Sequence, residues 1–290
     1  MSIDMRPLSV LILSDIHFGR DAVSDDFALE NSPPPHKIQN AVPMKRNLIE
    51  NLSGKNVEAI LVTGDLTSAG GPSEFQACRN CIVEIAETIG VEKENIFFAF
   101  GNHDVNWPIS KLSDDEHGTA IKDELYVNVA ASVGHIFIQN LNDYESGPIP
   151  GSGLFCRDKF VLYVANSGYF SAHNQQYSHG KLGPDQYDWL KNSILKHSNI
   201  SKWQILMLHH HPFKYTYPTL VEDISCLEEG SEIVDLIGSS NIDIVCHGHR
   251  HHPKLFTDMR TNWNTPITFF CSGSLSVNER HRRLGGLPPV

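Results

Sequence analysis

The chain has 290 residues, 40% of them hydrophobic and 20% charged, which is enough to bury a substantial core without disulfides. Its formal net charge of −11 argues against a general affinity for nucleic acid or anionic lipid. No apolar run approaches the ~18 residues that a membrane span requires.

In chain order, short apolar runs rich in β-branched residues end abruptly in polar chemistry. Residues 8–13 run into Ser14-Asp15-Ile16-His17, and residues 59–63 into Gly64-Asp65. Residues 96–100 run into Gly101-Asn102-His103-Asp104, residues 205–208 into His209-His210-His211-Pro212, and residues 242–246 into His247-Gly248-His249-Arg250-His251-His252. Runs of this length and composition predict strands buried on both faces. Helical patterns over 44–52 and 74–88 separate the first three runs, giving the order βαβαβ of a parallel sheet with right-handed crossovers. Later, 160–164 and 267–271 read as strands and 184–195 as a helix opening on Pro184. Residues 21–43 form a long loop after the first motif, and 1–290 reads as one domain. From about residue 276 the chain carries no further apolar strand; it reads either as a natural tail or as the start of a further segment.

Every motif stands at the carboxyl end of a predicted strand, where α/β folds gather their ligand sites. Asp15 and His17, two apart in an extended chain, would present their side chains to the same side. Asp65 could bridge two metal ions with its two oxygens, though a capping role would explain it equally in isolation. The Asn102 carbonyl can ligate a metal while His103 acts as an acid or base. His249 and His251 repeat the x+2 spacing with imidazoles. The six cysteines are scattered, and with no export signal they suggest free thiols in a reducing, cytoplasmic setting. Cys78 and Cys81 form a CxxC inside a helical pattern with no second pair, which favours packing over metal binding or redox chemistry.

The ordered set Asp-x-His, Gly-Asp, Gly-Asn-His-Asp, His-x-Pro and Gly-His-x-His, spanning Asp15 to His251, resembles the calcineurin-like metallophosphoesterase superfamily. The stretch from Gly64 to Gly70, Glu74-Phe75, Gln186 and Trp189-Leu190 resemble its class III cyclic-nucleotide and glycerophosphodiester phosphodiesterase branch. Protein serine/threonine phosphatases of the superfamily carry Asp-Arg-Gly after the Gly-Asp and end their Asn-His motif in Glu. Here Ser68-Ala69-Gly70 and Asp104 stand instead, so the carboxylate that would orient the catalytic histidine is missing.

The resemblance implies a four-layer αββα sandwich, two mixed sheets flanked by helices. It also implies two metal positions sharing Asp65: Asp15, His17 and His251 at the first, Asn102, His210 and His249 at the second. His210 is chosen from the triplet because the family ligand stands two residues before the proline; His209 is the alternative, and His211 should point away from His210. His247, Arg250 and His252 would surround the site. Mixed oxygen and nitrogen ligands suit Mn, Fe or Zn, in divalent or mixed-valence pairs. Two divalent ions outweigh two carboxylates, so such a site attracts a phosphate ester without a basic surface. The expected reaction is attack of a metal-bridged hydroxide on a small or nucleotide phosphodiester, with His103 as the acid for the leaving oxygen. Nuclease and phosphomonoesterase activities of the same superfamily are the alternatives. A non-catalytic metal-binding scaffold is a further one, against which all seven ligand positions are filled. Nucleic acid is not the favoured substrate of so acidic a chain, and the sequence does not speak to the oligomeric state. Residues 106–108, 170–177, Tyr215 and Tyr217 are candidates for setting specificity.

Overall fold

The structure is a computed structural model that describes residues 7–19, 44–105, 144–171, 179–213, 225–259, 263 and 265–276. The first sheet joins β1 (Val10–Leu13), β2 (Ala59–Thr63) and β3 (Ile96–Ala99), with helices α1 (Met44–Leu52) and α2 (Pro72–Ile89) in the crossovers. Among the described residues it is parallel throughout, with Leu11 opposite Ile60 and Leu61 opposite Phe97.

The second sheet is mixed. It contains β4 (Tyr144–Ser146), β5 (Gly153–Cys156), β6 (Phe160–Val164), β7 (Trp203–Met207), β8 (Ile244–His247), β9 (Lys254–Asp258) and β10 (Ile267–Cys271), in the spatial order β4-β5-β6-β7-β8-β10-β9. Its helices are α3 (Pro184–His197) and α4 (Gly230–Gly238).

Period-two alternation builds the four layers. In β2, Ala59 and Leu61 face the seam between the sheets, where Phe97, Ala99, Leu162, Val164, Ile205, Met207 and Cys246 join them. Ile60 and Val62 face the other way, onto Phe75, Cys78, Cys81, Ile82 and Ile85 of α2. In β6, Leu162 belongs to the seam while Val161 and Tyr163 pack with Leu190 and Ile194 of α3 and Ile233 and Ile237 of α4. Cys78 and Cys81 are thus core residues, and the six cysteines are free.

Helix α2 extends past the predicted 74–88 at both ends for local reasons. Pro72 opens it, the Glu74 carboxylate accepts the Gly71 N–H at 3.0 Å, and Gly90 closes it at φ 80°. β4, β5, β9 and α4 were not predicted from the sequence. No helix among the described residues is long and apolar enough to cross a membrane. Residues 21–43, 106–108, 172–177, Tyr215, Tyr217 and the tail from 277 lie outside the described residues.

Candidate metal centre

Five strands deliver the site, three from the first sheet and two from the second. Past Leu13 and Thr63 the backbones stay joined: the Asp15 N–H donates to Gly64 O and the His17 N–H to Asp65 O, both at 3.0 Å. These residues are no longer extended. Among the described residues five non-glycines have positive φ: Asp15 (52°), His17 (52°), Asp65 (51°), His249 (70°) and His251 (54°). All five are expected ligands. Left-handed backbone is uncommon outside glycine, costs about 1–3 kcal/mol, and collects at functional sites. It is this conformation, rather than strand alternation, that brings Asp15 and His17 to one side, a correction to the extended geometry expected from the sequence.

Potential ligand atoms gather in two groups, Asp15, His17, Asp65 and His251 in one and His209, His210 and His249 in the other, all within 4.8 Å inside each group. In the first, His251 Nε2 lies 3.1 Å from Asp15 Oδ1, and His17 Nε2 lies 3.6 Å from Asp65 Oδ2. That same Oδ2 is 3.3 Å from His209 Nε2 in the second group. The other oxygen, Oδ1, accepts the His103 N–H at 2.9 Å. A single oxygen of Asp65 therefore faces both groups, where the sequence suggested a bridge through two.

Asn102, His103 and Asp104 form a 3-10 turn just beyond β3. Asp104 is buried and clamps this turn, accepting the N–H groups of Gly101 at 2.9 Å and Thr67 at 3.0 Å and the Thr67 hydroxyl at 3.0 Å. Burial and the nearby Asp65 raise its carboxyl to about 7. The His103 ring stands 4.7 Å from that of His17, and its Nδ1 is 3.1 Å from the Ser68 carbonyl. A carbonyl only accepts, so this contact places hydrogen on Nδ1. The orienting partner missing from the sequence pattern is thus a backbone oxygen.

The triplet departs from strand alternation because β7 ends at Met207. His209 and His210 both face the site, with rings 5.0 and 4.5 Å from that of His249. His211 stays outside both groups but is buried and stacks against His249 at 6.3 Å, so it does not leave the cluster. His247 is buried at the end of β8, Arg250 donates to Ser225 Oγ at 2.7 Å, and His252 is exposed.

Ser167, not singled out from the sequence, holds the triplet. Its hydroxyl oxygen meets His210 Nδ1 at 2.9 Å and accepts the His210 N–H at 3.1 Å. It also accepts the His209 N–H at 3.3 Å, so one hydroxyl steadies both residues. The signal was the familiar one: an apolar run, 160–165, breaking into polar Asn166-Ser167.

The donor set fits metal ions. Burial, and then the neighbouring His103, pushes His17 down to about 3. Burial likewise holds His210 and His249 well below the usual histidine range, aided by His209 and His210 respectively. Burial thus favours the neutral form of these three imidazoles, the form that binds metal. His210 Nε2 and both ring nitrogens of His17 are buried and make no hydrogen bond among the described residues. Burial opposes charge on Asp15, yet His251 in contact with it keeps its carboxyl lowered; Asp65, against His209, is held well below the usual carboxylate range despite burial.

The family model for calcineurin-like phosphoesterases matches residues 8–253. The chain belongs to the calcineurin-like phosphoesterase family. Within it, the chain is 22% identical over 229 residues to a probable cyclic nucleotide phosphodiesterase of Rhodococcus erythropolis, covering 76% of this chain and 62% of that protein, so it spans less than two thirds of that relative's length. A protein of the same description from Colwellia psychrerythraea is 22% identical over 236 residues, 81% of this chain and 71% of its own. The calcineurin-like fold is also that of a dimetal phosphatase from Danio rerio (TM-score 0.53, 12% identity, 94% of this chain and 90% of that one). Yellow lupin purple acid phosphatase PPD1 shares it as well (TM-score 0.57, 14% identity, 96% and 46%).

Proposed function

We propose that this calcineurin-like phosphoesterase is a dinuclear metal-dependent phosphodiesterase acting on a small or nucleotide phosphodiester. Asp15, His17, Asp65 and His251 would hold one ion and Asp65, Asn102, His210 and His249 the other, with Mn, Fe or Zn suited to both. The observation that carries this reading is the single Asp65 oxygen facing two ligand groups, 3.6 Å from His17 and 3.3 Å from His209. The named relatives, probable cyclic nucleotide phosphodiesterases, favour the diester class. Free cysteines fit a reducing, cytoplasmic setting.

When bound, the two ions supply Lewis acidity and an activated water. The protein's own residues do the rest. The Ser68 carbonyl fixes the His103 ring so that Nε2 can deliver a proton to the departing oxygen. The His103 backbone N–H and the Asp104 clamp hold Asp65 and the turn in register with one another. The buried walls around Asp15, His17 and His210 exclude bulk water from the ligands.

The test is hydrolysis of bis(p-nitrophenyl) phosphate beside p-nitrophenyl phosphate, with added Mn, by wild type and Asp65→Ala. Diester cleavage that disappears in the variant supports the proposal. Preference for the monoester would move the reading to a phosphatase. Metal binding with neither cleavage would leave a narrow nuclease or a scaffold.

A further inference from the structure

His209 has no ligand role in the family pattern, which takes one histidine from this segment, yet its ring is fully buried and aimed into the second group. Its Nδ1 lies 2.8 Å from the Thr63 carbonyl. Since that oxygen only accepts, the ring is fixed with hydrogen on Nδ1 and with Nε2 inward. There Nε2 stands 3.2 Å from His249 Nδ1 and 3.3 Å from Asp65 Oδ2.

Two ligand atoms each about 2.0–2.1 Å from one ion lie about 3.0 Å apart at a right angle and about 3.4 Å apart at the tetrahedral angle. Both contacts of Nε2 fall inside that interval. A proton on Nε2 can lie along only one of them, whereas a cation set among the three atoms satisfies all of them.

The fold also makes room for this ring. Gly64 has φ 100°, and a Cβ there would stand 2.5 Å from His209 Nδ1 and 2.8 Å from Cγ. The residue before Asp65 is thus kept bare where the imidazole passes. On the other side, the His209 carbonyl accepts the Gly248 N–H at 3.0 Å, tying the segment to the turn that carries His249.

From this geometry we propose that His209 is itself a metal ligand through Nε2, an addition to the set in which His210 and His249 already stand. The proposal rests on the dinuclear reading above. It gives the second position three imidazoles against two at the first. The two positions then differ in kind: the nitrogen-rich one favours Zn or Fe over Mn, and the two load unequally.

The test uses metal-stripped full-length protein, titrated with zinc by calorimetry and separately reconstituted with cobalt(II) for its visible spectrum. In His209→Asn the amide nitrogen stands near the Nδ1 position and can keep the Thr63 contact, while Nε2 is gone. Wild type should take up two zinc ions per chain. His209→Asn should weaken one of the two steps by at least about tenfold, since even partners that only orient a ligand are worth about 10–100-fold. Its cobalt spectrum should change while the other step stays as it was.

Should His209→Asn fail to fold by circular dichroism, His209→Gln places an amide near Nε2; one weakened step and an altered cobalt spectrum are again expected. Two zinc ions at wild-type affinity with an unchanged cobalt spectrum, in whichever variant folds, would overturn the role of His209 alone. Fewer than two ions in wild type, or two ions retained by Asp65→Ala, would overturn the dinuclear reading and this inference with it.

Discussion

Gly101→Ala alters no ligand, yet it should disable the centre. The backbone there has φ −104° and ψ −175°, an extended conformation open to any residue, so the effect is steric. A Cβ at 101 would stand 2.1 Å from Asp65 Oδ1 and 2.6 Å from the Asp65 backbone nitrogen. The backbone atom cannot swing aside as a side chain can, and reaching ordinary contact requires about 1 Å of movement between the two segments. Overpacking of this kind costs about 1–3 kcal/mol, or about 2–5 °C in melting temperature for a chain of this size. The larger effect is local: about 1 Å of misplacement at a site can remove ~10²-fold in rate, and metal affinity should fall at least tenfold, about 1.4 kcal/mol. Calorimetric metal titration of stripped protein and kcat/KM on bis(p-nitrophenyl) phosphate read both. Gly90→Ala is the control, because nothing lies within 4 Å of a Cβ there and its φ of 80° imposes only backbone strain. It should lower stability by about 1 kcal/mol and leave metal binding alone. Two ions bound by Gly101→Ala at wild-type affinity, with unchanged turnover, would refute the reasoning.

His103→Ala should lower turnover by about 10²–10⁴-fold with metal content unchanged by elemental analysis; an emptied site would mean that His103 is a ligand. Ser167→Ala removes the contact that holds His210 at 2.9 Å and should weaken metal binding by about 10–100-fold, read by competition with a chelating dye. Saturating metal at about 100 times Kd should stabilise the fold by about 2.7 kcal/mol per ion, so chelation should lower the melting temperature in a metal-concentration-dependent way.

Much of this site was legible because apolar runs and polar motifs alternate so sharply. Leu61 and Val62 could only be strand, and Asp65 behind them could only be at its end. What could not be read was backbone conformation: Asp15 and His17 look like an alternating pair, and only the loop hydrogen bonds to Gly64 and Asp65 turn both into left-handed residues. The same limit hid His209, since alternation had to be assumed past Met207, where the strand stops. β9 was missed because an edge strand carrying Lys254, an exposed Leu255 and Asp258 has no continuous apolar run. α4 was missed because glycine, a poor helix former, stands at both its ends.

Asp15, His17, Asp65, Asn102 and His103 hang from the first sheet, and His209, His210, His249 and His251 from the second. The ions would act as rivets at one end of the seam whose length is filled by Leu61, Phe97, Leu162 and Ile205. Apolar contact is non-directional, whereas coordination bonds fix the position of each layer against the other. Losing the ions should therefore free a shearing motion of one layer against the other. Hydrogen exchange would show it as loss of protection that begins at the strand ends Leu13, Thr63 and Met207 and fades toward the opposite edge of the sandwich.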